Sequence, residues 1–87
     1  MHGEEIFGRI LQEERKARNI SQEKLAKLAG LDRTFISLIE NGKRSPTFST
    51  ILKICSGLGI DPSELFSIYE KKDPEYRAKK GGKGRRV

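Results

Sequence analysis

Two helix start signals only eleven residues apart, Ser21 and Asp32, constrain this chain more than any other feature. Each has a short polar side chain that can accept a hydrogen bond from a backbone N–H left unpaired in the first helical turn. Behind Ser21 come Leu25, Ala26, Leu28 and Ala29 at helical spacing, and Gly30 interrupts the pattern. Behind Asp32 come Phe35, Ile36, Leu38 and Ile39, and Asn41-Gly42 closes it. Each segment falls short of the ~12–15 residues at which an isolated helix becomes even marginally stable in water, so packing must hold both. Apolar residues stand just outside each cap. Ile20 with Leu25, and Leu31 with Ile36, have the spacing of a hydrophobic staple, which fixes the angle at which the chain enters a helix.

The rest of the chain reads as three more helices. The first spans roughly Glu4 to Ala17, with Ile6, Phe7, Ile10, Leu11 and Ala17 on one face. It ends at Arg18-Asn19, where asparagine tolerates the left-handed backbone of a helix exit. Thr47 can cap a fourth helix carrying Phe48, Ile51, Leu52, Ile54, Cys55 and Leu58, which ends near Gly59. The fifth repeats the staple with Ile60 and Leu65 around Asp61, has Pro62 at its first position, and offers Glu64 for a capping box. No strand alternation and no internal repeat interrupt this pattern. The expected fold is all-α, a compact five-helix bundle over residues 1–70 followed by a tail, 71–87.

The tail stands apart by charge. The chain carries a net charge of +6, yet residues 1–70 hold ten Lys/Arg and ten Asp/Glu. All the excess sits in 71–87, where eight basic residues face only Asp73 and Glu75 and three glycines interleave. Such a composition predicts a disordered basic arm, either a solvated end or a weak phosphate binder. No run of 18 apolar residues suggests a membrane span, and no signal-like segment suggests export. One cysteine excludes an internal disulfide framework, and one histidine, His2, leaves no cluster for a metal. Cys55, on an apolar helix face, reads as a small buried hydrophobe. No nucleophile has a base nearby in a plausible pattern, so catalysis, cofactors and a small-molecule ligand are not expected. A cytoplasmic, non-enzymatic protein is the reading that remains.

A three-residue turn with a glycine between two stapled helices matches the helix-turn-helix unit, in which the second helix crosses the first at a large angle. That geometry suits a helix that must project into something narrow, and the DNA major groove, ~12 Å wide, admits one helix. The second helix begins with Arg33 and Thr34, with Ser37 one turn on. Arginine can bridge guanine O6 and N7, threonine can hydrogen-bond or touch a thymine methyl, and a small serine lets the helix approach. Gln22 at the start of the preceding helix can reach a phosphate, and Asn41, Lys43 and Arg44 can clamp the backbone on the other side. Phe35 either packs in the core or lies over the sugar-phosphate backbone.

Arg15, Ser21-Gln22, Leu25-Ala26, Ala29-Gly30, Ile36-Ser37, Glu40, Gly42 and Pro46 together form a pattern that resembles the phage repressor and Cro-like (XRE) helix-turn-helix family, across roughly residues 6–66. Residues 31–37, LDRTFIS, resemble the corresponding segment of restriction–modification controller proteins. The resemblance implies a lambda-repressor-like DNA-binding domain with Arg33, Thr34, Ser37 and Leu38 facing bases. It places Gln22, Asn41, Lys43 and Arg44 on phosphates, and pairs Arg15 with Glu40 as a structural ion pair. Leu38 departs from the polar residue often found there, which leaves it a methyl contact rather than a hydrogen bond.

The fifth helix crowds Leu65, Phe66, Ile68 and Tyr69 into five positions, more than one side of a small core can bury. Phe66, Ile68 and Tyr69 are therefore the expected homodimer contact. A dimer would set two reading helices ~34 Å apart, matching a palindromic operator on double-stranded DNA. The expectation is a sequence-specific transcription regulator, a repressor by occlusion or an activator by contact with polymerase. Two alternatives stay open: a coactivator- or antitoxin-like module that uses the same fold to bind protein, and a non-specific nucleic-acid binder driven by the tail.

Overall fold

The computed structural model describes residues 3–77; His2 and the part of the basic tail from residue 78 onward lie outside the described residues. Five helices follow the expected order: α1 (Gly3–Ala17), α2 (Gln22–Ala29), α3 (Arg33–Glu40), α4 (Phe48–Leu58) and α5 (Pro62–Lys72). None of them is long and apolar enough to cross a membrane.

The start signals work as their chemistry requires. Ser21 Oγ accepts from the Lys24 N–H at 3.0 Å, Asp32 Oδ2 from Thr34 at 3.1 Å, and Thr47 Oγ1 from Thr50 at 3.2 Å. The fifth differs: Asp61 makes no side-chain capping bond, and Pro62 starts α5 with its φ already helical.

Helix ends and helix starts share residues. After α2, Gly30 adopts φ +69°, its N–H reaches Lys27 O, and the Leu31 N–H reaches Ala26 O at 2.8 Å. This closes the carbonyl end of α2. Leu31 then packs on the core beside fully buried Ile36 as the staple of α3. Asn19-Ile20-Ser21 and Gly59-Ile60-Asp61 repeat the joint, with Asn19 at φ 57° and Gly59 at φ 73°. Each joint is a left-handed residue, an apolar residue and a cap.

The core gathers Phe7, Ile10 and Leu11 of α1, Leu25 and Ala26 of α2, Ile36 and Ile39 of α3, Ile54, Cys55 and Leu58 of α4, and Ile60 and Leu65. Burial, and then the charge of Asp61, push the Cys55 thiol up, which keeps it protonated and unreactive. α2 packs on both α3 and α4, and α1 on both α3 and α5. Three side chains on the expected apolar faces point outward instead: Leu28 (50% exposed), Phe48 (68%) and Leu52 (40%). In such short helices the remaining apolar positions already fill the buried side, and Gly57 rather than a bulky residue meets α2, against Leu25 and Ala29.

A further departure lies at the end of the domain. α5 runs to Lys72, and residues 74–77 add a sixth, one-turn helix, α6, inside the stretch expected to be a disordered tail. Asp73 is buried between them and starts α6 by accepting the Tyr76 N–H at 3.1 Å.

α1 approaches α3 closely at Gly8. A Cβ at Gly8 would lie 2.3 Å from Ile39 O and 2.7 Å from Glu40 O, both backbone atoms. Gly8→Ala therefore has to push α3 off α1. The expected loss is ~1–3 kcal/mol or more, read as a lower urea midpoint with helix content retained before the transition.

Candidate nucleic-acid interface

α3 divides cleanly into two faces. Ile36, Ile39 and Glu40 are buried; Arg33 and Thr34 are exposed, and Ser37 and Leu38 are half-exposed. With 3.6 residues per turn, positions 33, 34, 37 and 38 fall on the side opposite the core. The structure thus brings the four expected base-facing residues onto one outward surface.

The buried face is fixed by charge as well as by packing. Arg15 Nε donates to Glu40 Oε2 at 2.6 Å and Arg15 Nη2 donates to Glu40 Oε1 at 3.0 Å, a two-pronged pair. Arg15 Nη1 also donates to Ile20 O at 2.8 Å, in the joint before α2. The hydrogen bond that Arg15 donates to Glu40 raises the guanidinium pKa against an opposing effect of burial. Gln22 Nε2 donates to Glu40 Oε1 at 3.0 Å. One carboxylate therefore joins α1, α2 and α3, and it holds the amide of Gln22, a residue expected at a phosphate, on the protein side.

The exit of α3 sets the remaining cations. Gly42 at φ +72° lets its N–H reach Ile39 O at 3.0 Å while the Lys43 N–H reaches Leu38 O at 2.9 Å. Asn41 Nδ2 turns back onto Ser37 O at 3.0 Å, so one of its donors completes the helix end. Lys43 and Arg44 are exposed just beyond, and Arg44 Cζ lies 5.3 Å from the Phe35 ring centroid. Phe35 itself is half-buried, with its ring against the core. The roles of Gln22 and Asn41 as internal braces, and the Phe35–Arg44 contact, were not foreseen from sequence. The Gln22–Glu40 partners stand eighteen positions apart and meet only after folding.

A second surface lies away from α3. A groove of about 600 Å³ opens between α1, the loop at Ser45-Pro46, α4, α5 and α6, with Phe7, Ile51, Phe66, Tyr69 and Tyr76 on its walls. Phe66 is 43% and Tyr76 47% exposed, while Ile68 and Tyr69 are half-buried on the protein's own core. Tyr69 donates its hydroxyl to Asp73 Oδ2 at 2.5 Å, and the two tyrosine rings stand 6.4 Å apart.

Two capped helices joined through one glycine, the second with its polar face free, define a helix-turn-helix protein. The chain belongs to the helix-turn-helix family, whose model matches residues 11–65. Within that family it is similar to proteins that govern restriction–modification systems. The control protein C.MunI of Mycoplasma sp is 50% identical over 66 residues, 75% of this chain and 89% of that protein. The restriction–modification controller protein C.AhdI from Aeromonas hydrophila superposes with a TM-score of 0.73 at 42% identity, over 76% of this chain and 100% of that one. The controller protein C.Esp1396I, solved as a tetramer in complex with its natural 35 base-pair operator, superposes at 0.79 with 28% identity, over 83% of this chain and 95% of that one.

Two expected outcomes follow from the buried charges. Arg15→Ala strands the Glu40 carboxylate, whose side chain is 1% exposed, and should destabilise by ~3–5 kcal/mol in urea denaturation. Replacing both Arg15 and Glu40 by apolar residues should cost less than that single change. The contact with Asp73 holds the Tyr69 pKa up at about 12 against an ordinary 10. Because the folded pKa is raised, the stabilisation is complete below pH 10 and is lost as pH rises through 12. Tyr69→Phe should lose roughly 1 kcal/mol at neutral pH, and its gap to the wild type should close between pH 10 and 12.

Proposed function

We propose that the protein is a homodimeric, sequence-specific regulator of transcription that reads a short palindromic operator with the outward face of α3. One observation carries this reading: α3 turns Ile36, Ile39 and Glu40 into the protein and presents the side chains of Arg33, Thr34, Ser37 and Leu38 together on its outward surface. Arg33 and Thr34 would read base edges, Ser37 would permit close approach, and Leu38 would meet a thymine methyl. Lys43 and Arg44 would bind phosphates beside the groove and fix register. Gln22 and Asn41 would contact phosphate with the amide atoms their internal bonds leave over.

The similarity to C.MunI and C.AhdI supports a controller role, and the operator-bound tetramer of C.Esp1396I supports double-stranded DNA as the partner and self-association on it. The groove walled by Phe66 and Tyr76 is the apolar surface on which a second copy would close, with Ile68 and Tyr69 supporting it from beneath. The protein would act in the cytoplasm, by occupancy of DNA rather than by catalysis.

The test is selection from a randomised duplex pool at ~150 mM salt, which suppresses binding by phosphate contact alone, with sedimentation in parallel. An enriched palindrome with half-sites one turn apart and a dimer at micromolar concentration is the expected result. No enrichment from a folded protein would move the weight to a protein-binding module. On the enriched duplex, Arg33→Ala should cost ~1–3 kcal/mol and relax preference at one base pair, with little change on scrambled DNA. Lys43→Ala should weaken both duplexes alike and lower the salt slope by ~1. Equal losses on both duplexes for Arg33→Ala would remove it from base reading.

A further inference from the structure

Arg44 stands at the edge of the reading surface with an aromatic ring as its neighbour. Its Cζ lies 5.3 Å from the centroid of Phe35, within the range where a guanidinium is attracted to the electron-rich face of a ring. Phe35 belongs to the first turn of α3, between exposed Thr34 and buried Ile36. Its ring packs against the core, which fixes its position, and it is only half-buried, so a surface is left for Arg44. The loop beneath Arg44 is also fixed, by the Lys43 N–H bonded to Leu38 O. The ion pairs Arg15–Glu40, Arg18–Glu14 and Lys72–Glu13 do not involve Arg44.

We infer that Phe35 is a positioning residue for DNA binding: its ring holds the Arg44 guanidinium beside the start of α3 before DNA arrives. The inference rests on the reading of α3 and Arg44 given above and adds how that arginine is aimed. An unrestrained arginine gives up much rotamer freedom when it docks on a phosphate. An arginine already leaning on a fixed ring gives up less, so the ring contributes to affinity without touching DNA. The opposite role, a ring that parks Arg44 away from the phosphate, predicts the opposite sign and is decided by the same experiment.

The test is a double-mutant cycle on the duplex enriched from the random pool, with Phe35→Leu, Phe35→Tyr, Arg44→Ala and Phe35→Leu/Arg44→Ala. Leucine keeps apolar volume against the core and removes the ring; tyrosine keeps the ring. Phe35→Leu should weaken binding about three- to fivefold where Arg44 is present, and less than about twofold where it is alanine. Phe35→Tyr should stay within about twofold of the wild type. Arg44→Ala should lower the salt slope by ~0.9, whereas Phe35→Leu should leave it unchanged because the phosphate contact still forms. In the free protein, the side-chain protons of Arg44 should be shifted upfield by the ring and return to ordinary positions in Phe35→Leu.

Equal losses from Phe35→Leu in both backgrounds would make Phe35 a packing residue only. Tighter binding by Phe35→Leu would make it a parking site, and an unshifted Arg44 would remove the contact altogether. Each overturns the inference while the regulator reading stands. A wild-type protein that prefers no duplex, with Arg44 still shifted by the ring, would overturn the regulator reading and this role with it.

Discussion

Everything in the helix-turn-helix unit depends on one buried carboxylate. Glu40 ends α3, and its two oxygens take Arg15 from α1 and Gln22 from α2, while the same arginine holds Ile20 O in the joint between those helices. Burying a lone charge is costly, and removing either partner would leave the other charge without its counterpart. The pair is therefore better understood as a geometric constraint than as a reservoir of stability. It allows the end of α3 a single position relative to α1, and Gly8 brings the two backbones close enough for the bond to be short.

The joints supply the other half of that constraint. At three places a left-handed residue, an apolar residue and a cap follow one another, and the apolar residue closes one helix and staples the next. Leu31 does this between α2 and α3. Helices of eight residues have little stability of their own, so their mutual angle is inherited from this joint and from the core beneath it. The side chains of Arg33 and Thr34 stay exposed, outside that core.

What could be read from the chain divides along the same line. Caps at Ser21, Asp32 and Thr47, staples, and the exits at Asn19, Gly30 and Gly59 are local, because each signal lies within a few residues of its effect. The all-α fold and the two-faced α3 were legible for that reason. The Arg15–Glu40 pair was legible only through a family pattern, since nothing in the spacing of two residues so distant predicts their meeting. α6 was hidden by composition: the charge and glycine content of residues 71–87 outweigh what Asp73 and Tyr76 do once Tyr69 is beside them. Leu28, Phe48 and Leu52 looked like core because periodicity counts apolar positions without knowing how much partner surface each short helix meets. Phe35–Arg44 combines both difficulties, a side-chain contact across a loop whose course is set by Gly42.

The separation between the two faces of α3 has an evolutionary corollary. If α3 reads DNA as proposed, selection could alter the side chains at 33, 34, 37 and 38 without disturbing Ile36, Ile39 or Glu40, so recognition could drift while the scaffold stays constant. A lineage built on this plan would then acquire new addresses on a genome through a handful of substitutions outside the core. Divergence of target preference between sister chains would then run ahead of divergence in architecture.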